Sequence, residues 1–400
     1  MKRVAILSDL VNFDPAYSIC RVIADQCKML SRHGYKPRLL VRQWLRHTHD
    51  AAYEAEIVEL DHGDDIGDNK VHVTGVSTLD VFRLCKQLRK ALAGFDVVLT
   101  HDLVFQPNMW IAHLAAKQVA AECTNLHWLH WIHSSGDMRV AEQGGPFVDE
   151  LRAPFPNSAL VAMHDFDAAY KRKLYGHLTE QIVIVPNPID VTADFHSAAL
   201  AAIERLSLMA ADVIAVYPCR LDRGKRPHLV LEVFAELQRG GWDARVVICD
   251  FHSTMGDKAA YRDEMKRYAE SKRLPVLFAS DLEGSENGAP YSYCLPHKAI
   301  MDLLEAAVVL VHPSVSECDP LVVPEAAWKR CGLVLSADVG VFGLYAGADL
   351  YQFDNPARVA EEIAYQMESN AVLRLHAEMR KTRSLEGTWP RLKAVVEQQW

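Results

Sequence analysis

Two α/β domains, each built on a parallel sheet, are predicted by three observations. Strand-like apolar runs alternate with helical stripes through both halves of the chain. Its 400 residues exceed what one hydrophobic core comfortably holds. Midway, Pro186 and Pro188 interrupt the pattern, placing a linker at about residues 188–210 and a first domain at 1–190.

The first half opens on Arg3-Val4-Ala5-Ile6-Leu7, a short apolar run broken by Asp9, which reads as a strand and not as a signal peptide. Ile19, Val22, Ile23, Cys27 and Leu30 then recur at helical spacing, and His33-Gly34-Tyr35 ends that helix. Asp96–His101, Leu129–Ser135, Ala159–Met163 and Ile182–Asp190 are strands by the family resemblance given below. Strand alternation puts His127 and His133 on one face and His130 on the other, which argues against a zinc site shared by the three. His133, at a strand's carboxyl end, is the candidate ligand-site residue, and His101 is a second. His127 is expected to be a hydrogen-bonded core histidine.

The second half carries the chemistry. Val213–Tyr217 reads as a strand, followed by Pro218-Cys219-Arg220-Leu221-Asp222-Arg223-Gly224-Lys225-Arg226-Pro227. A helix with Val230, Val233, Phe234 and Leu237 on one face comes next, closed by Gly240-Gly241. Arg220 and Lys225 thus flank a strand-to-helix loop, where two cations can neutralise a diphosphate without a metal; a solvated basic loop is the plainer alternative. About ninety residues on, Val308–Val311 reads as a buried strand before Ser316-Glu317-Cys318-Asp319-Pro320-Leu321-Val322-Val323-Pro324-Glu325. Pro324 and Glu325 have the character of a helix start. Glu317 would then lie at a strand's carboxyl end and Glu325 at the next helix's amino end, the crevice where open α/β sheets bind ligands. Ordinary helix capping is the alternative for this pair.

Together the two motifs resemble the carboxyl-terminal half of retaining glycosyltransferases of the GT-B fold, the family 4 group, and the resemblance runs over nearly the whole chain. It implies two Rossmann-like domains facing a central cleft. The first domain would bind the acceptor, residues 191–385 the nucleotide-sugar donor, and residues 386–400, with Trp389, a last helix crossing back to the first domain. It implies that Arg220 and Lys225 grip the donor diphosphate, with backbone N–H groups near Leu321 and Val322. Glu317 would contact the donor sugar, Glu325 the ribose, and His133 would lie near the sugar. The activity implied is retaining transfer of a hexose-type sugar from a UDP- or GDP-sugar to a hydroxyl, with no metal and no cofactor besides the donor. Glycines usual in such proteins are missing: Asp9–Pro15 holds none, Cys219 precedes Arg220, Cys249-Asp250 replaces a glycine-rich turn, and Cys318-Asp319-Pro320 lies inside the glutamate motif. These departures put donor identity in question. A nucleotide-sugar epimerase and a non-catalytic nucleotide-sugar-binding protein of the same fold are the rival readings.

Composition sets outer bounds. Half the residues are hydrophobic and 24% are charged, as in ordinary globular chains, and no run of about twenty apolar residues suggests a membrane span. Nine cysteines without a CxxC fit a reducing, cytoplasmic setting. The acid-rich run 61–68 lacks a metal-ligand pattern. Lys298 is expected on a helix surface. The acceptor is left open among small molecule, glycan and lipid. DNA carrying a hydroxymethylated base is a less favoured option, because the basic stretch Arg32, His33, Lys36, Arg38, Arg42, Trp44, Arg46, His47 and His49 sits in a chain of formal net charge −9.

Overall fold

The computed structural model describes residues 2–10, 13–14, 16–42, 53–61, 77–103, 109–133, 149–150, 153–176, 179, 181–251, 257–282, 295–345 and 348–398. These form two compact units, Met1–Asp190 with Thr388–Trp400, and Val191–Gly387. Each is an α/β layer structure on a wholly parallel sheet, of seven and six strands respectively.

In the first unit the strands are β1 (Val4–Ser8), β2 (Arg38–Arg42), β3 (Glu56–Leu60), β4 (Val97–His101), β5 (His127–Trp131), β6 (Ser158–Ala162) and β7 (Gln181–Ile184). Their order is β3-β2-β1-β4-β5-β6-β7. The chain therefore builds outward from β1 on one side and returns to its other side at β4, a topological switch point. Helix α1 (Ser18–Arg32) buries Ile19, Ile23, Cys27 and Leu30, the stripe expected of it, with Val22 half-exposed. Gly34, at φ 82°, takes the left-handed turn after it. Helices α2 (Thr78–Ala91), α3 (Trp110–Glu122) and α4 (Asp165–Tyr175) complete the described helices before residue 190. Trp110, Trp128 and Trp131 are fully buried, the gain in apolar burial being offset in part by indole N–H groups that find no partner among the described residues.

Strand β5 ends at Trp131, so His133 stands two residues past it and the alternation that paired it with His127 does not extend that far. His127 begins the strand half-exposed and is not a core residue. The core histidine is His130, fully buried, with Nδ1 2.8 Å from Thr100 Oγ1.

The second unit contains β8 (Val213–Arg220), β9 (Ala244–Phe251), β10 (Val276–Phe278), β11 (Val309–His312), β12 (Gly332–Ser336) and β13 (Asp349–Tyr351), ordered β10-β9-β8-β11-β12-β13. The switch point lies between β8 and β11. Helices α5 (Ser197–Arg205), α6 (Pro227–Arg239), α7 (Lys258–Ser271), α8 (His297–Ala306), α9 (Val322–Trp328), α10 (Pro356–Ser369) and α11 (Ala371–Arg383) surround this sheet. Val230, Val233, Phe234 and Leu237 of α6 are all buried in its core. The stretch expected to be linker is largely folded: α5 buries Ala198, Ala199, Ala202 and Ile203. The last helix, α12 (Leu385–Glu397), ends among first-unit residues, where Trp389 stacks on His33 at 4.0 Å between ring centroids. No described helix is long and apolar enough to cross a membrane.

Candidate functional site

The two strands at the second switch point deliver the principal charged groups. Strand β8 runs further than expected, through Pro218 and Cys219 to Arg220, because at that point it is in register with β9. Arg220 is thus the last strand residue, its side chain 54% exposed and its Nε 3.5 Å from Asp222 Oδ2. A single 3-10 turn, Arg223–Lys225, follows. Arg226 at φ 48° breaks it, and Pro227 starts α6 at the first helical position, where its missing N–H costs nothing. Tyr217, fully buried, donates its hydroxyl to Lys225 O at 2.7 Å, and burial pushes its phenol well above the usual range. Val315 N–H donates to Gly224 O at 3.1 Å, tying this turn to the segment after β11.

That tie brings Lys225 onto Glu317. Lys225 Nζ donates to Glu317 Oε1, Ser314 Oγ donates to the same oxygen at 2.7 Å, and His312 Nε2 lies 3.6 Å from it. Burial raises the Glu317 pKa, but hydrogen bonds from Lys225 and Ser314, with the Lys225 charge, outweigh it and hold the carboxyl below its usual value. His312 is 2% exposed. Burial lowers its pKa to about 4, more than the Glu317 charge recovers, and Lys225 lowers it further. At neutral pH the group is therefore a Lys⁺–Glu⁻ pair backed by a neutral imidazole.

Glu325, on the helix that follows, has its Oε1 2.9 Å from His297 Nε2. Helix α9 begins at Val322, so Pro324 is its third residue and not its first. The first three N–H groups of a helix have no intrahelical acceptor, so proline is tolerated there as well. Leu321, 67% exposed, and Val322 open this seven-residue helix. Asp319, in the stretch without glycine, accepts from Tyr345 O–H at 3.3 Å. Lys298 lies on the exposed surface of α8, paired with Asp302 at 2.6 Å.

The sequence reading missed His312, Ser314, Tyr217 and His297. His312 and Ser314 directly follow the apolar run Val308–Val311 and could have been found by listing polar residues at that strand end. Nothing local marks Tyr217 or His297.

In the first unit His133 lies beyond β5, its backbone N–H donating to Asp102 Oδ1 at 2.7 Å. Fully buried His101 ends β4, with Nδ1 2.9 Å from His133 Nε2. Of the basic stretch, Arg32 lies 3.7 Å from Asp190, Arg38 binds Glu56 at 2.9 and 3.1 Å, and Arg42 lies 3.8 Å from Asp9. Trp44, Arg46, His47 and His49 lie outside the described residues, as does most of the acid-rich run.

No protein-family model and no curated protein matches the chain. Solved structures resemble it weakly over their full length. A glycosyltransferase from Rickettsia africae shares 12% identity and a TM-score of 0.40, covering 99% of this chain and 98% of that one. Anabaena HepE, solved with UDP and glucose, shares 12% identity and a TM-score of 0.38, with 100% of both chains covered. The trehalose-6-phosphate synthase OtsA shares 13% identity and a TM-score of 0.38, covering 100% of this chain and 99% of that one. Likeness at these values supports no statement about substrate or mechanism.

Proposed function

We propose that the chain is a glycosyltransferase whose second unit holds a nucleotide-diphosphate sugar, UDP- or GDP-linked, and whose first unit holds a hydroxyl acceptor. One observation carries this reading: β8 and β11, the strands flanking a topological switch point, place Lys225 against Glu317 at their carboxyl ends, with Arg220 terminating β8. A diphosphate offers acceptor oxygens to Lys225 and the half-exposed Arg220, and the N–H groups of Leu321 and Val322 are further donors of the same kind. Glu317, kept ionised by its partners, accepts from sugar hydroxyls, and Glu325 from those of the ribose.

Transfer breaks the bond between the anomeric carbon and the phosphate oxygen, and the electron pair leaves with the diphosphate. Lys225 and Arg220 stabilise that growing negative charge, which is the transition-state work asked of this site. The new carbon–oxygen bond forms on the face the phosphate leaves, so configuration is retained. The acceptor's proton passes to the departing phosphate, which relieves the protein of supplying a base. The two cations serve the charge-neutralising role a metal would otherwise fill. The pairing of Arg32, Arg38 and Arg42 with carboxylates works against DNA as acceptor, since cations already neutralised gain little from phosphates.

The test is to incubate the protein with a panel of nucleotide sugars and follow free UDP or GDP. Slow hydrolysis of one donor, abolished by Glu317→Gln, is the result expected. Release from none of them, by a folded protein, removes the proposal.

A further inference from the structure

At the carboxyl ends of β4 and β5 four side chains form a hydrogen-bonded row. Gln26, fully buried on α1, has Oε1 2.8 Å from His101 Nε2. His101 Nδ1 lies 2.9 Å from His133 Nε2, and His133 Nδ1 lies 3.4 Å from Asn187 Nδ2. The roles at both ends are fixed by chemistry: an amide oxygen only accepts and an amide nitrogen only donates. His101 must then carry its proton on Nε2. A neutral imidazole has one N–H, so His101 Nδ1 accepts and His133 donates from Nε2. His133 Nδ1 is left as an acceptor, facing the longest and weakest link of the row. Read backward from Asn187, the same assignment results.

The surroundings keep the row neutral. Burial holds His101 well below the usual imidazole range, and the adjacent His133 lowers it further. Burial also lowers His133, against the pull of Asp102 and Asp167 and with the repulsion of Lys171. Two protonated rings could not share the 2.9 Å contact, which needs one lone pair. The backbone is pinned as well: Asp102, in the left-handed region at φ 41°, accepts the His133 N–H.

We propose that Gln26 and His101 are positioning residues that fix His133 as the neutral, Nε2-protonated tautomer, so that its Nδ1 accepts from a substrate hydroxyl. The identity of that hydroxyl, on a sugar or its acceptor, rests on the glycosyltransferase reading; the tautomer does not. The Asn187 contact at 3.4 Å is the one an incoming hydroxyl can replace or join.

Imidazole nitrogen shifts of the full-length, uniformly labelled protein read the tautomer directly. The proton is expected on Nε2 of both His101 and His133 in the ligand-free protein. A proton on Nδ1 of His133 overturns the relay and means the Gln26 amide is reversed. Gln26→Glu supplies a carboxylate that lets His101 take a second proton, which Nδ1 then donates to His133, driving the His133 proton to Nδ1. Its kcat with whichever donor the nucleotide-sugar panel identifies should fall about tenfold or more while donor KM moves less than about twofold, the pattern of a lost orienting contact and not of a damaged binding site. Gln26→Met, which holds volume but fixes no proton, should give mixed tautomers and an intermediate kcat. Unchanged kcat in a Gln26→Glu protein whose His133 tautomer has switched overturns the role in turnover. An Nε2 proton in a wild type inert toward every nucleotide sugar leaves the relay in place and overturns the functional reading instead.

Discussion

The two sheets share a winding order but build different side-chain clusters at their carboxyl ends. The second unit places charge there: Lys225 against Glu317, with Arg220 at the end of β8. Where β4 and β5 end, the first has neutral side-chain donors and acceptors, His101 and His133 between two amides, with charge held at Asp102 under the His133 backbone and in the Arg42–Asp9 pair at β1 and β2. A charged pair can take up a further partner when a diphosphate arrives, since the Lys225 ammonium has three N–H donors and can keep Glu317 while it binds a phosphate oxygen. A neutral row has no such freedom; what it offers is a fixed direction for each proton. The contrast suits a reaction in which charge develops on the leaving diphosphate while hydroxyls need only orientation.

The comparison breaks most readily at Lys225. Lys225→Ala removes a cation from the leaving diphosphate and strands Glu317 partly buried, so kcat/KM for the donor should fall by about 2–4 kcal/mol in transition-state terms. Arg220→Ala, at a more exposed position, should cost less. A larger loss at Arg220 in steady-state nucleotide release would move the centre of the site away from the ion pair.

A second test exploits acid. Unfolded, His312 takes a proton near its ordinary pKa of 6.5; folded, only near 4. Protons therefore favour the unfolded chain, and the stability contributed by the neutral form is lost as pH falls from about 6.5 toward 4. Between pH 7 and 4.5 this amounts to about 2–3 kcal/mol. His312→Gln, compared with wild type by urea unfolding at stepped pH, should flatten the curve by that amount. Glu317 behaves oppositely: its depressed pKa contributes stability that is complete above about 4.5 and lost only below it. Curves that stay parallel over pH 7–4.5 would mean that folding does not shift the His312 pKa.

The glutamates separate next. Glu325→Gln should raise donor KM about tenfold, roughly 1.4 kcal/mol, with kcat little changed, because a ribose contact is the same in ground and transition states. Glu317→Gln should lower kcat and spare nucleoside-diphosphate affinity, as calorimetric titration would read. The reverse pattern would exchange their roles. Smallest is Thr100→Val in the first unit, which removes the partner of His130 Nδ1 and should cost about 1 kcal/mol of stability with no change in donor KM.

Much of this architecture was legible because strand and helix periods differ and glycine and proline punctuate them. Val308–Val311 and the α6 stripe are local signals, and the structure has a buried strand at Val309–His312 and a buried stripe on α6. The strand ends were less legible. Pro218 looked like a stop, yet β8 continues to Arg220 because its missing N–H matters only where a neighbour needs it. Pro324 looked like a first helical residue and is the third, a position whose N–H also lacks an intrahelical acceptor. The candidate pairing of Lys225 with Glu317 could be suspected from strand topology. The contacts of Gln26 with His101 and of His312 with Glu317 could not, because hydrogen bonds between residues distant in sequence leave no periodic trace. Gln26 reads only as a polar residue on a helix that is otherwise apolar on that side.

The stacking of Trp389 on His33, with the hydrogen bond from Tyr35 to Glu397, also bears on biosynthesis. The first unit is assembled from both sides of the second, so the second is in topological terms an insertion. A ribosome that has just finished β7 has made a seven-stranded sheet whose α1 end still lacks its cover. The whole of Val191–Gly387 must be synthesised, and can fold, before that cover arrives. Completion of the amino-terminal unit therefore waits for the segment from Thr388 onward, which is translated after the second unit.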